Sequence, residues 1–418
     1  MASIENGNHD FPLYNWGAYE NFSTPTILDT TLRDGIQSPL ERYPSIEEKL
    51  QLIDLLLELG IEAFDIGFPV SNGKHKQHTA RIAKYLSGRK PHPRLTCLAR
   101  STIEDVKAIV EISQSAGVPI EVLLFVGSSP ARLLVEEWNV DQLKEWATTA
   151  IDFAIREGLE VNFACEDVTR SEPETVSALY LNALEYGASR ITLPDTVGIC
   201  NPIGATQIVR FVRDNVIKRR AIGLDWHGHN DRGLAVANAL AALAAGADCI
   251  HTTIFGIGER CGNIPLEPTL ANIYYLCGKR YRFEVLPRLS QYAASIFGES
   301  VHSRHPVIGR NAYSTAAGIH ASAIFKALQI GKPEIIANVY AGVDARLSGF
   351  KTSVEIGPLS GVANVEWKLA QLGFPFSQDI ADRILNTARN SDRIFTDEEI
   401  ITIVVSSIEE KPTDVIAP

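Results

Sequence analysis

At 418 residues the chain is long enough for roughly two to four domains, or for one large barrel with an appendage. Hydrophobic residues make up 45% and charged residues 21%, which excludes a disordered chain, a collagen-like fibre and a disulfide-stapled miniprotein. With 39 basic against 50 dispersed acidic side chains the net charge is −11, so no broad nucleic-acid surface is expected, whereas a small basic pocket for a phosphorylated ligand stays open.

Residues 1–25 read as an N-terminal extension, polar and aromatic at its start and without the basic and apolar regions of a secretory signal. The longest apolar stretch, 235–247, is interrupted by Asn238 and is too short to span a bilayer, so no membrane partner is expected. The six cysteines (Cys97, Cys165, Cys200, Cys249, Cys261, Cys277) stand alone, as reduced thiols do, and the expected location is cytoplasmic.

From residue 26 to about 255 one unit repeats: a short apolar or β-branched run, then an amphipathic helical pattern. The strand-like runs are 26–29, 63–68, 94–98, 120–125, 160–164, 190–194, 224–229 and 249–255. Helical periodicity covers 46–59, 103–116, 140–157, 174–186, 205–216 and 234–245, and Gly60, Gly117, Gly158, Gly187 and Gly246 punctuate helix ends. Eight strands with helical crossovers predict an α/β protein, a (β/α)8 TIM barrel over 26–300, in preference to an open doubly wound sheet. The alternation then stops. Residues 301–345 read as a linker subdomain and 346–418 as a mainly helical C-terminal subdomain, with a strand-like segment at 350–361 and helices near 365–372, 378–390 and 397–407.

In a barrel the chemistry belongs at the C-terminal ends of the strands. Strand one is followed by Arg33 and Asp34, strand seven by His227 and His229, and strand eight by a glycine-rich loop that ends at Asn263. His227 and His229 are two apart, so on a strand they point to one side. Two imidazoles and a carboxylate from another strand suit a divalent metal, with Asp34 the best-placed carboxylate and Asn263 a further oxygen donor. Arg33 beside Asp34 suggests stabilisation of an anionic oxygen. The loop from Gly256 to Gly262 lacks the lysine of a phosphate-binding loop and reads equally as a tight turn. Glu166 and Thr196 close strands five and six, where a helix cap is an equal alternative, and Asp65 within Phe-Asp-Ile-Gly-Phe needs a partner or a ligand.

At these residues the sequence resembles the 2-isopropylmalate, homocitrate and citramalate synthase family. Leu32-Arg33-Asp34-Gly35-Ile36-Gln37 is similar to its first signature and the segment from Leu224 through His227, His229, Asn230 and Asp231 to Ala237 to its second. The run from Gly256 through Glu259 and Arg260 to Asn263, and Ala317-Gly-Ile-His320, are two further blocks. The resemblance implies metal ligation by Asp34, His227 and His229, with Asn263 nearby, and a divalent ion of the Mg²⁺, Mn²⁺, Co²⁺ or Zn²⁺ type. It implies that Arg33 stabilises the developing oxyanion, that Thr196 contacts the 2-oxo acid carboxylate, and that Glu166 is a catalytic-site glutamate. Gln37, Asp65 and Glu259 join the substrate-binding set. His320 and, less directly, Tyr340 match appendage residues donated to the partner subunit's barrel, implying a homodimer with shared sites.

The implied reaction is condensation of acetyl-CoA with a 2-oxo acid, followed by thioester hydrolysis to a 2-substituted malate and CoA. Departures from the family pattern bear on the oxo acid. Ile36 stands where a glutamate is usual and Leu40 where a glycine is usual, and the spacing from Gln37 to Lys49 is one residue longer than the signature. Cys97 and Asn162 stand at the positions of the histidine and arginine that hold the second carboxylate of 2-oxoglutarate, while Leu123 and Thr192 replace a histidine and an asparagine. An apolar 2-oxo acid follows, 2-oxoisovalerate or a larger one such as phenylpyruvate, because an unpaired buried carboxylate is costly. The alternatives are a homocitrate or citramalate synthase, a carbon–carbon lyase resembling the HMG-CoA lyases, and a non-catalytic acyl-CoA or oxo-acid sensor. The sequence ends near where full-length isopropylmalate synthases begin a leucine-binding domain, so no leucine feedback through such a domain is expected.

Overall fold

The computed structural model describes residue 22 and residues 24–218 and 220–409. The expected N-terminal extension lies almost wholly outside the described residues, as does the end of the C-terminal subdomain beyond residue 409. The chain divides after Ser300 into two compact units.

In the first unit, β1 (Thr26–Asp29), β2 (Ala63–Asp65), β3 (Arg94–Arg100), β4 (Glu121–Gly127), β5 (Val161–Glu166), β6 (Arg190–Asp195), β7 (Gly223–Gly228) and β8 (Cys249–Thr252) form a closed parallel barrel in sequence order. Closure is made by β1 against β8, with Ile27 opposite Ile250. The crossovers are α1 (Ile46–Leu59), α2 (Gly73–Ser87), α3 (Ile103–Ala116), α4 (Pro130–Glu136), α5 (Val140–Arg156), α6 (Pro173–Glu185), α7 (Pro202–Val212) and α8 (Ala235–Ala245). Two more helices, α9 (Leu266–Cys277) and α10 (Leu286–Phe297), follow β8. This is the TIM barrel.

Local chemistry explains the element ends. Ser45 and Glu48 close a capping box at the start of α1, a feature whose loss costs about 1 kcal/mol. Leu52, Ile53, Leu56 and Leu59 bury one face of α1, and Gly60 at φ 105° ends it in a conformation that a side chain resists. β2 stops at Asp65, earlier than the apolar run to residue 68 predicts. Asp65 Oδ1 accepts from the Gly67 amide at 3.3 Å, and Gly67 packs so closely on α2 that a Cβ there would lie 2.5 Å from Thr79 Oγ1. α2 shows no clear apolar period in the sequence because its first turns are lysine- and histidine-rich. Ile82, Ala83 and Leu86 nevertheless bury it. α7 ends at Val212 and gives way to one π-helical segment, Arg213–Ile217, where the periodicity predicted a continuous helix.

The second unit contains a two-stranded parallel sheet of β9 (Ser314–Thr315) and β10 (Ser353–Val354). Its helices are α11 (Gly318–Ile330), α12 (Pro333–Asn338), α13 (Val362–Leu372), α14 (Gln378–Arg389) and α15 (Asp397–Glu409). Ile356, Val365, Leu369, Ile384 and Val404 form the core beneath α13, α14 and α15. Among the described residues no helix is long and apolar enough to cross a membrane.

Candidate active site

The site begins where β1 ends. Asp29 accepts from the Thr31 amide at 3.1 Å and from its hydroxyl at 2.9 Å, and Thr31 Oγ1 in turn accepts from the Ile254 amide at 3.0 Å. These bonds tie the β1 loop to the β8 loop and present Arg33 and Asp34 at the barrel mouth. On β7, the alternation turns Leu224 and Trp226 towards the helices and Asp225 and His227 inwards. His229 follows on the same side and forms a bridge with Asn263.

His227 Nε2 lies 3.2 Å and His229 Nε2 3.8 Å from the same oxygen, Asp34 Oδ2, and all three residues are buried. One donor atom from each falls within 4.8 Å of the others. Asp34 Oδ2 and Asn263 Oδ1 are buried without a well-formed hydrogen bond. Burial opposes ionisation of Asp34, but Arg33 and the two imidazoles hold its carboxyl well below the usual range. Burial pushes both imidazoles down, His229 to about 4 with the neighbouring His227 assisting. A carboxylate and two neutral imidazoles converging in a buried pocket are the donor set that a divalent cation requires, so the residues fit such an ion. Asn263 Nδ2 donates to the Ile257 carbonyl at 3.1 Å, which orients the amide.

Arg33 is buried beside this group. Its Nε donates to Asp65 Oδ2 at 2.7 Å and its Nη1 lies 3.4 Å from Asp34 Oδ2. Asp65 is therefore occupied by Arg33 and by the Gly67 amide, a positioning arrangement where substrate contact was expected.

Glu166, Thr196 and Glu259 occupy the same rim, at the ends of β5, β6 and β8. Burial raises the Glu166 carboxyl against the pull of Arg132, whose Nε stands 3.3 Å away. Thr196 Oγ1 accepts from the Asp167 amide at 2.8 Å. Arg260 binds Asp231 at 2.8 Å and the Thr196 carbonyl at 2.7 Å, and approaches the half-exposed Glu259 at 3.5 Å. Asp167, Phe255 and Arg260 all adopt positive φ in these rim loops, the strained backbone that accumulates at functional sites. The glycines of the β8 loop serve close packing. A Cβ on Gly258 would fall 2.1 Å from Asn263 Nδ2, and one on Gly262 1.8 Å from the Gly256 carbonyl.

The other expected site residues are more scattered. Gln37 is exposed near Arg33. Leu123, Asn162 and Thr192 face the barrel interior at a deeper level. Asn162 donates to Asp225 at 3.2 Å and Glu121 at 3.3 Å, and accepts from Thr192 at 2.9 Å. Arg94, Arg190 and His251 complete this buried network around Asp225 and Glu121. Asn162 and Thr192 are thus engaged below the Asp34 group, not gathered around it. Cys97 alternates with the inward Thr96 and faces the helix layer, so it lines no part of the interior. In the second unit His320 and Tyr340 are brought together, their rings stacked at 3.9 Å, despite the long spacing between them. Arg132 and the Asp225 network carried no motif, and only their placement in the barrel identifies them.

The HMGL-like family model matches residues 24–288, which contain the whole barrel and its rim. The chain belongs to the HMGL-like family. Among curated HMGL-like relatives, the chain is 30% identical to the 2-isopropylmalate synthase of Pyrococcus furiosus over 365 residues, 86% of this chain and 70% of that protein. It is 32% identical to a homocitrate synthase of Methanopyrus kandleri over 391 residues, 92% of this chain and 93% of that protein. A solved hydroxymethylglutaryl-CoA lyase from Pseudomonas aeruginosa shares the fold, with TM-score 0.58 and 21% identity over 68% of this chain and 96% of that one. The lyase of Brucella melitensis does so at TM-score 0.55 and 18% identity, over 66% and 99% respectively.

Proposed function

We propose that this HMGL-like enzyme condenses acetyl-CoA with an apolar 2-oxo acid and hydrolyses the resulting thioester, giving a 2-substituted malate and CoA. The observation that carries the reading is the convergence of Asp34, His227 and His229 on one point with Arg33 alongside. The curated relatives, synthases of isopropylmalate and homocitrate, support the same reaction class.

A divalent ion held by Asp34, His227 and His229 would supply Lewis-acid polarisation of the keto oxygen. Arg33 offers positive charge where the new alkoxide develops, and Asp65 keeps the guanidinium from rotating away. Thr196 would bind the 2-oxo acid carboxylate through its hydroxyl proton, since its oxygen already accepts from the Asp167 amide. Removal of a methyl proton from the acetyl group falls to His320, acting with Tyr340 or Glu166. We assign His320 and Tyr340 to the barrel of a second copy, which makes the working form a homodimer.

An apolar substrate is supported by the buried Ile36 and Leu40 near the barrel mouth. The interior cations Arg94 and Arg190 are committed to Glu121 and Asp225. 2-Oxoisovalerate and phenylpyruvate are the proposed candidates. The test is release of free CoA thiol from acetyl-CoA with pyruvate, 2-oxoisovalerate, 2-oxoisocaproate, phenylpyruvate, 2-oxoglutarate and oxaloacetate, with and without a chelator. Chelator-sensitive release with an apolar member is expected. Fastest turnover with 2-oxoglutarate would overturn the apolar assignment, and silence across the panel would overturn the reaction.

A further inference from the structure

A second polar cluster lies beside the Asp34 group, in a pocket that shares Arg33, Ile36 and Gln37 with the site just described. A pocket of about 220 Å³ opens between the loop after β1, the first turn of α1, and the loop that leads from β2 into α2. Leu32, Ile36 and Phe68 supply its apolar wall, and Arg33 borders it. Its polar side carries one ammonium and two imidazoles. Lys49 projects from the first turn of α1, is only 5% exposed, and has neither hydrogen bond nor ion pair on its ammonium among the described residues.

His75 and His78 line the same pocket from the first two turns of α2. His75 Nδ1 is held by Ser71 Oγ at 2.9 Å, which leaves its Nε2 unused, and His78 Nδ1 is buried without a partner. The first turn of α2 contains Lys74 and no acid, so the positive end of a 15-residue helix adds to the field. Burial, and then Lys74, depress the Lys49 ammonium to about 8. Burial, then Lys49, Lys74 and His75, depress His78 to about 4, with Glu47 the weak opposing charge.

A buried lysine left unpaired is costly to the fold, and a neighbouring group of the same sign makes it more so. In a chain with a net charge of −11, a buried ammonium with no counter-charge among the described residues, flanked by Lys74 and by two imidazoles with unused ring nitrogens, marks a binding site for an anion. One ammonium, two imidazoles and a helix N-terminus converging from different elements match the several oxygens of a phosphate group. We propose that the Lys49–His75–His78 pocket binds a phosphate group, contributed either by the coenzyme A moiety of the co-substrate or by a free phosphorylated ligand. The inference is independent of the condensation proposed above, because phosphate binding is read without turnover.

The test is isothermal titration of the intact protein with inorganic phosphate, repeated on Lys49→Met and Lys49→Arg. Saturable binding is expected, weakened at least tenfold in Lys49→Met and largely kept in Lys49→Arg. Removal of an unpaired charge leaves the fold intact, as a thermal melt of Lys49→Met checks. Displacement of phosphate by CoA but not by pantetheine identifies the coenzyme as the source. Undiminished phosphate binding in the presence of CoA identifies a free phosphorylated ligand. Absence of saturable binding, equal affinity in Lys49→Met, or displacement by 2-oxoglutarate in preference to CoA would overturn the assignment.

Discussion

Asp65 Oδ2 accepts a 2.7 Å hydrogen bond from Arg33 Nε, leaving Arg33 Nη1 3.4 Å from Asp34. A single guanidinium thus joins the second strand of the barrel to the carboxylate shared by His227 and His229. Burial raises the Asp65 carboxyl while Arg33 draws it down, so the pair depends on staying together.

This pairing separates two effects in variants. On the proposed mechanism Arg33→Gln removes the charge that faces the developing oxyanion, and kcat is expected to fall about 10²–10³-fold with KM for the oxo acid little changed. Asp65→Asn keeps the guanidinium but loosens it, with an expected loss of about 10–100-fold. Steady-state kinetics of the two variants check this. Equal losses, or a loss confined to KM, would count against a positioning role for Asp65.

Stability should carry the signature of Asp29. Burial pushes this carboxyl up from 3.8 to about 7 although Thr31 hydrogen-bonds it. Between those values the folded state holds a proton that the unfolded chain has released. The contribution is therefore complete below the unfolded value and lost as pH rises through about 7. Asp29→Asn removes the titration, so its Tm relative to the parent is expected to climb by several degrees between about pH 4 and pH 8. A pH-independent Tm difference would refute the buried-acid explanation.

The glycines of the β8 loop make a steric prediction. In Gly258→Ala the new methyl would collide with Asn263 Nδ2, and φ of 155° is already unfavourable for a side chain. The barrel should fold with an unchanged circular dichroism spectrum while activity drops about tenfold or more through displacement of Asn263. A fully active Gly258→Ala enzyme would show that the amide of Asn263 is not needed where it stands.

Sharing of sites between subunits can be read by mixing. Asp34→Asn and His320→Ala are each expected to be inactive alone. Co-refolded in equal amounts, they should recover about a quarter of native activity, because half of the dimers are mixed and each of those has one intact site. No recovery from verified heterodimers would place both residues in the site of one chain.

Much of the barrel was legible in the sequence. α1 and α3 begin and end where the apolar periodicity and glycine signals placed them, because both elements are set by local capping and one buried face. α2 was missed because Lys74, His75, Lys76 and His78 mask its short apolar stripe, and three of those polar residues have work of their own. His75 and His78 line the pocket, and Lys76 binds Glu111 at 2.6 Å. β2 and β8 end before their apolar runs do, because such runs do not reveal where a ladder ends. That point was fixed by Gly67 packing on Thr79 and by the β8 loop folding back through Asn263.

By itself the sequence determined the order of strands and helices, the strand ends where polar residues gather, and the inward pairing of His227 and His229. Each follows from torsional preference and side-chain period over a few neighbouring residues. Only the tertiary structure decided how closely Asp34 approaches those histidines, that Asp65 serves Arg33, that Asn162 is bound to Asp225 and Glu121, and that Lys49 shares a pocket with His75 and His78. Those partners are separated by up to 195 residues in sequence, and their distances depend on the register with which eight strands close.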